Sequence, residues 1–306
     1  MLNYKRLSRR PGTFRSFTGL YVEEFDSLYV RVEDQYAESE RERLARMDRK
    51  RRIGGGGKFK LLLKDRLLML LVYYRLYVSL FLTSFLFDPH ESNVWRDIRY
   101  IEPLVRECIP IPEKLYDVSR RLGTVEEVEL YFPGFIASID ATEQEIPRPR
   151  EKRKRKSHYS GKKKRHTVKT QLTVNRDGLI IHRTNHARGR RHDYAIFKQN
   201  HPKLPKGVRP GVDLGYDGIQ NDFPELDVII PFKKRRGMKR LTDEQKGFNK
   251  RLARARVVVE HTIARMKKFK IFGQEFRNRL KHYDRMTDIV SGLVNLRIIG
   301  TNRLLL

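Results

Sequence analysis

Three acids stand out in a chain that otherwise collects positive charge. Asp140 closes the apolar run FIASID, Asp213 lies in GVDLGYDG between an apolar step and a glycine-rich turn, and Glu260 lies in ARVVVEHTIARMKKFK. Each alone reads as an ordinary structural or surface acid. Together, with no Cys/His cluster beside them, they form a donor set for a hard cation such as Mg2+ rather than for zinc. Two further acids compete for the second position. Asp193 in RRHDYAIF has His192 beside it, which raises the possibility of a metal, and Asp217 lies four residues beyond Asp213. Asp193 reads as a helix cap or a supporting group, and the residue types alone leave the choice of the second acid open.

The elements that must position these acids follow from periodicity. FIASID, HTVKTQLTVN and GLIIHRTN read as strands, with Asp177-Gly178 as the tight turn between the last two. A helical piece at about Asp193 to Gln199 follows, then a short strand at Gly211 to Asp213 and another at DVIIPF. A long helix covers roughly Asp243 to Phe269, with Gly247 a potential break. The order β-β-β-α-β-(α)-β-α is resolved most naturally as an α/β fold, a mixed sheet flanked by helices. On the long helix, Val258, Val259, Met266 and Phe269 form one apolar stripe, while Arg256, Glu260 and Lys267 share a narrow arc on another face. The plain reading of that arc is an exposed Arg–Glu pair worth a few tenths of a kcal/mol.

Upstream the pattern is helical. Thr18 is the expected cap of the amphipathic segment that follows it. Gly54 to Gly57 read as a flexible break, without the Lys-Ser/Thr context of a phosphate loop. The stretch Leu67 to Phe87 is long enough to suggest a membrane span, but Arg75 at its middle and three tyrosines favour two buried helices. SLFLTSFLFDPHESNVWRDIRYIEPLV reads as helix, turn, helix, broken at Asp88-Pro89 because proline disfavours helical geometry in the residue before it. The second helix, roughly Glu91 to Val105, turns Val94, Ile98 and Ile101 inward and offers Asn93, Arg96 and Arg99 to base edges or phosphates. A packing module with a solvated basic face is the alternative.

The 306 residues carry 66 Lys+Arg against 37 Asp+Glu, a net charge of +29 spread along the whole length. Such an excess calls for a polyanion, and nucleic acid fits better than a lipid surface. A ribosome-like basic protein is the bland alternative. A single cysteine, Cys108, allows no internal disulfide, and the N-terminal MLNYKRLSRRPGTF lacks the apolar core of a secretory signal. A cytoplasmic, nucleoid-associated location without a membrane is expected.

DATE with IPRP, YSGKKKRHTVKTQ, GRRHDYAIF, DLGYDG, PFKK, RVVVEHTIARMKKFKIF and FRN, taken in order, resemble a DDE transposase of a bacterial insertion sequence. The nearest group is insertion sequence family five, whose catalytic domain is similar to that of PIF/Harbinger transposases. The likeness covers about residues 136–295, and RSFTGLYVEEFDSL with GGGGKFKLLLKDRLLMLLVYYRLY resembles that group's helix-turn-helix region. It implies a ribonuclease H-like fold at 129–306, a helix-turn-helix region at 61–128 and a basic helical segment at 1–60. It makes Asp140, Asp213 and Glu260 the catalytic, metal-holding triad. Arg256, Glu260 and Lys267 match the spacing of a Tyr-Arg-Glu-Lys signature, with Ala253 where the tyrosine would stand.

The implied chemistry is DNA cleavage and strand transfer assisted by two Mg2+ ions, with Mn2+ as a substitute. Water would attack first at the element end, and the freed 3′-hydroxyl would then attack target DNA, with no covalent protein–DNA intermediate. Eleven Lys/Arg lie between Arg148 and Arg165, and a solvated hairpin or a phosphate track are the two readings of that run. Lys162, Lys163, Lys164, Arg165, Arg256 and Lys267 are the expected phosphate contacts near the site. Partners are double-stranded DNA at element ends and target, and a second copy of the chain, since joining two ends needs at least a dimer. A catalytically silent DNA-binding descendant and a metal-dependent nuclease that cuts without joining are the rival readings.

Overall fold

Nine consecutive side chains from Arg66 to Tyr74 are buried, so the helix that carries them forms the axis of the N-terminal half. The structure is a computed structural model that describes residues 1–48, 52, 59–234 and 240–302. The Gly54 to Gly57 run lies outside the described residues. The helices of the first half are α1 (Tyr4–Leu7), α2 (Pro11–Thr18), α3 (Val22–Leu44), α4 (Leu63–Leu76), α5 (Leu80–Phe87), α6 (Glu91–Cys108), α7 (Pro112–Ser119) and α8 (Val125–Tyr131). The second half begins with β1 (Ile136–Glu145), α9 (Lys152–His158), β2 (Tyr159–Ser160), β3 (Arg165–Asn175), β4 (Ile180–Arg183) and β5 (Ala187–Arg188). It continues through α10 (Asp193–Asn200), β6 (Arg209–Gly211), α11 (Ile219–Asp222), α12 (Asp243–Lys267), α13 (Lys270–Gly273) and α14 (Tyr283–Asn302).

Local chemistry explains where several helices stop. Gly19, at φ +82°, ends α2 in the left-handed conformation that glycine tolerates best. Thr18 is therefore not the cap of α3. Its buried hydroxyl donates to the Phe14 carbonyl and accepts from the Leu20 amide, while Glu24 closes α3 by accepting from the Tyr21 amide at 2.7 Å. Asp88, at φ 74°, ends α5 just before Pro89, as the sequence leads one to expect. The two-helix reading of Leu67 to Phe87 holds, but only α4 is buried. Phe81 is 69% and Phe85 78% exposed on α5, because eight residues cannot turn an all-apolar surface entirely inward. Among the described residues no helix is long and apolar enough to cross a membrane.

The sheet is mixed, with order β2-β3-β1-β6, and β4 and β5 also pair with β3. β1 runs antiparallel to β3 and parallel to β6. β1 is longer than its apolar run, so Asp140 sits mid-strand opposite Leu172 rather than at the strand end. The DVIIPF segment adds only an isolated bridge, Gly211 to Ile229, since Pro231 limits a continuing ladder. α12 is unbroken through Gly247 and packs on β1 and β3 through Val259, Ile263 and Met266, with Val258 only half-buried. Gly178 at φ 92° makes the expected turn after β3.

One hydrophobic core joins the two halves. It runs from Leu7 and Phe14 through α4 and α6 to Phe269, Phe272 and α14. A smaller cluster of Ile139, Phe197, Val212, Tyr216, Ile219 and Val228 lies beside β1 and β6. Polar groups close the seam: the Arg277 amide donates to the Tyr77 hydroxyl at 2.8 Å, and its guanidinium lies 4.2 Å from the Tyr77 ring centre.

Candidate active site

The parallel pairing of β1 with β6 is what brings the first two acids together. Ser138 is in register with Gly211, and two residues further along each segment stand Asp140 and Asp213. Residues two apart share a face of an extended chain, so continuing that register sets the two carboxylates side by side. β6 ends at Gly211, and Asp213 turns the chain by accepting the Gly215 amide at 2.9 Å.

Asp140 accepts the Ala141 amide at 2.9 Å and has Arg256 Nη2 at 4.0 Å. Burial pushes its carboxyl above the usual range; Arg256 opposes this, and the fields of Asp213 and Asp193 reinforce it. Asp193 is the first residue of α10 rather than its cap, and accepts the Lys169 ammonium at 2.9 Å. Lys169 also lies 3.5 Å from Glu143. The buried Tyr216 completes the cluster. Gln171 donates to its hydroxyl at 2.6 Å and to the Asp193 carbonyl at 3.1 Å. Burial first, then the fields of Asp193, Asp140 and Asp213, hold the Tyr216 phenol well above its ordinary range.

Glu260 is exposed on α12. Arg256 lies one turn before it and Lys267 two turns after it on the same face. Partial burial and Lys163 hold Lys267 below the usual lysine range, while Asp140 and Glu143 act in the other direction. The helix face that carries Glu260 is thus the one that meets the field of Asp140. The carboxylates acting most on Asp140 are nonetheless Asp213 and Asp193. Asp217 is drawn away to Lys233 at 2.9 Å, and His192 is exposed.

Among the described residues no group of three or more His, Cys, Asp or Glu could hold a metal ion by itself. The donor chemistry still fits a divalent cation. Two neighbouring oxygen-only ligands, Asp140 on β1 and Asp213 just beyond β6, repel each other in a partly buried site, and a bound dication would relieve that repulsion. Mg2+ characteristically takes only one or two protein carboxylates and keeps waters or substrate phosphates as its other ligands.

Further cations lie on other elements of the chain. The run after β1 forms helix α9 rather than a hairpin, so its lysines and arginines project around a helix. With Arg148, Tyr159, His166 and Arg190, α9 frames an open cavity of about 820 Å³. Lys162, Lys163, Lys164 and Arg165 are exposed at the β2–β3 turn, and Arg165 also lies 3.4 Å from Glu145. On α6, Asn93 and Arg96 are exposed and bonded to each other at 2.8 Å. Arg99 is not free to read DNA as its spacing suggests. It is half-buried and paired with Glu102 at 2.9 Å, because Glu102 is buried and requires a cation.

The sequence pattern missed Lys169, Gln171 and Tyr216. A lysine and a glutamine inside a β-branched strand were the signal for the first two. Tyr216, in GVDLGYDG, resembles any core aromatic until its hydroxyl is traced.

The family model described as "DDE superfamily endonuclease" matches residues 139–295, and "helix-turn-helix of DDE superfamily endonuclease" matches residues 59–111. The chain is 30% identical over 255 residues to the probable transposase for insertion sequence element IS702 of Microchaete diplosiphon, covering 83% of this chain and 88% of that protein. No solved structure matches it. The first match begins one residue before Asp140 and takes in the β1–β6 acid pair and the whole of α12; the chain belongs to the DDE superfamily of endonucleases.

Proposed function

We propose that the chain is a transposase that binds the terminal inverted repeats of its element, cleaves DNA at the element ends and joins the freed 3′ ends to target DNA. The observation that carries this reading is the placement of Asp140, on β1, beside Asp213, just beyond the end of β6, with Arg256 and Lys267 next to Asp140. The similarity to an insertion-sequence transposase supports it. Residues 61–128 serve as the recognition region, 1–60 as its helical support and 129–306 as a ribonuclease H-like catalytic domain.

In this reading Asp140, Asp213 and Glu260 hold two Mg2+ ions, or Mn2+ in their place. Bound there, the ions supply an activated nucleophile and neutralise charge on the leaving oxygen. The protein's own residues do the positioning. Pairing of β1 with β3 and β6 fixes Asp140, the Gly215 amide orients Asp213, and Arg256 opposes the effect of burial on the Asp140 carboxyl. Lys267, Lys162, Lys163, Lys164 and Arg165 hold the phosphates of the reacting strand, while Asn93 and Arg96 contact the repeat. Two copies assemble on DNA to bring two ends together. The field of Asp193 at Asp140 favours a second assignment, in which Asp193 supports or replaces Glu260 as the third acid.

The test is incubation with the flanking inverted-repeat DNA and Mg2+ or Mn2+. Strand-transfer products from the wild type, absent with Asp140→Asn and Glu260→Gln, are expected. Cutting without joining identifies a nuclease, and full activity in both variants removes the triad.

A further inference from the structure

α12 has a second chemically loaded face. Arg265 lies nine residues after Arg256, which places it on the opposite side of the helix at 100° per residue. There it lines a cavity of about 230 Å³ at the seam between the N-terminal helices and the catalytic half. Five cations converge on this cavity: Arg15 of α2, Arg75 of α4, Arg265 of α12, Lys268 just beyond it, and Arg297 of α14. Among the described residues Asp177 is the sole acid lining it.

Among the described residues most of these cations lack an ion-pair partner. Arg297 has Glu24 at 3.7 Å, but among the described residues none of Arg15, Arg75, Arg265 and Lys268 has a carboxylate within ion-pair distance. Arg75 makes a long bond to the Ser16 carbonyl at 3.4 Å, and its guanidinium lies 5.1 Å from the Phe269 ring centre. Burial, then Arg297 and Arg15, hold it below the usual arginine range. Like charges gathered around a small space repel one another unless an anion relieves them. The volume is below the roughly 300–1,000 Å³ typical of small-molecule sites, so a compact anion fits better than a nucleotide.

We propose that this cavity is a phosphate-binding site, separate from the carboxylate cluster on the other face of α12. A tetrahedral anion there would accept hydrogen bonds from guanidinium groups of α2, α4, α12 and α14 at once. It would clamp the helices behind the helix-turn-helix region to the helix that carries Glu260. Such a phosphate has two sources, a backbone phosphodiester of bound duplex or free phosphate. The site itself does not depend on the transposase reading.

Thermal unfolding of the full chain, in inorganic phosphate against sodium chloride at matched ionic strength, decides whether the site exists. Phosphate is expected to raise the wild-type Tm, since a ligand selective for the folded state stabilises it. Arg265→Gln with Lys268→Gln, both exposed positions, should remove the increment without lowering the Tm in chloride, since the change relieves like-charge repulsion. Lys162→Gln with Lys164→Gln should leave the increment intact. No increment in the wild type, or equal loss in both double variants, overturns the proposal. The source is read from salt titrations of duplex binding. A slope shallower by about 0.9 in the Arg265/Lys268 variant identifies a backbone phosphate, and an unchanged slope identifies the free anion.

Discussion

Removing the carboxylate of Asp97 should destabilise the protein more than any surface change, through the charge it leaves behind. Arg66 is fully buried in α4, and its Nη2 lies 3.0 Å from Asp97 Oδ1 of α6, whose side chain is only 10% exposed. At that separation the direct attraction is about 5 kcal/mol for an effective dielectric constant near 20. Desolvating the two ions cancels most of it, so the intact pair contributes little net stability. The imbalance shows in Asp97, which burial holds above the usual carboxylate range despite Arg66. Asp97→Ala loses the attraction but leaves the guanidinium buried, at a cost of about 3–5 kcal/mol. The Phe59 ring, 3.7 Å from the guanidinium carbon, offsets only about 1–2 kcal/mol of this. In urea unfolding followed by circular dichroism, the midpoint should fall sharply at an unchanged m-value. Arg66→Met combined with Asp97→Ala should recover most of the loss, because no unpaired charge remains. A single-variant loss below about 1 kcal/mol, or a double variant no better than the single, would refute a charge-driven cost.

Four further outcomes follow from the site and its seam. Asp140→Asn and Asp213→Asn should each lower DNA cleavage by several orders of magnitude with duplex affinity retained, and parallel assays of Glu260→Gln and Asp193→Asn decide which supplies the third acid. Arg256→Gln removes the cation that opposes burial at Asp140. An acid whose folded-state pKa is raised keeps its proton to higher pH, so the acid limb of cleavage should move to higher pH; an unmoved limb in the pH–rate profile argues against the pairing. Replacing Lys162, Lys163, Lys164 and Arg165 by Gln should flatten the salt dependence of duplex binding by up to about 0.9 for each phosphate no longer neutralised, measured by fluorescence anisotropy. Gly19→Ala should lower the Tm, by about 1–3 kcal/mol of stability, because the new Cβ would meet the Phe269 ring at 2.8 Å where φ is +82°.

Legibility of this chain tracked how local the cause was. β3 and α12 were readable because each sustains its own pattern over many residues, 11 in the strand and 25 in the helix. The extent of β1 was not, since Thr142 and Gln144 look like loop residues until their partners are known. Gln144 is held by the carbonyls of Ile271 and Gln274, more than a hundred residues away. Thr18 misled for a related reason: a threonine before an amphipathic run is equally consistent with a cap and with the last turn of a preceding short helix. Among the site residues, Asp140 could be found from its apolar approach. The nearness of Asp213 depends on the parallel register with β6, and a three-residue strand leaves almost no pattern in sequence.

α12 also bears on how DNA recognition and catalysis are joined in one chain. Arg256 and Lys267 meet Asp140, and Glu260 lies between them on the same helix face, while Arg265 and Lys268 face α2, α4 and α14. Between these faces Val259, Ile263 and Met266 are locked into the core. A buried stripe of this kind transmits displacement more readily than it absorbs it, since close-packed interiors have little free volume. Movement of the N-terminal helices on binding a repeat would therefore reach Glu260 through the body of one helix. Thr262 is buried and donates to the Gly178 carbonyl at 3.2 Å, tying α12 to the turn that also carries Asp177. Thr262→Val should leave duplex affinity intact and lower the cleavage rate of bound DNA, as measured in single-turnover assays. Equal losses in affinity and rate would mean that the helix is a scaffold alone.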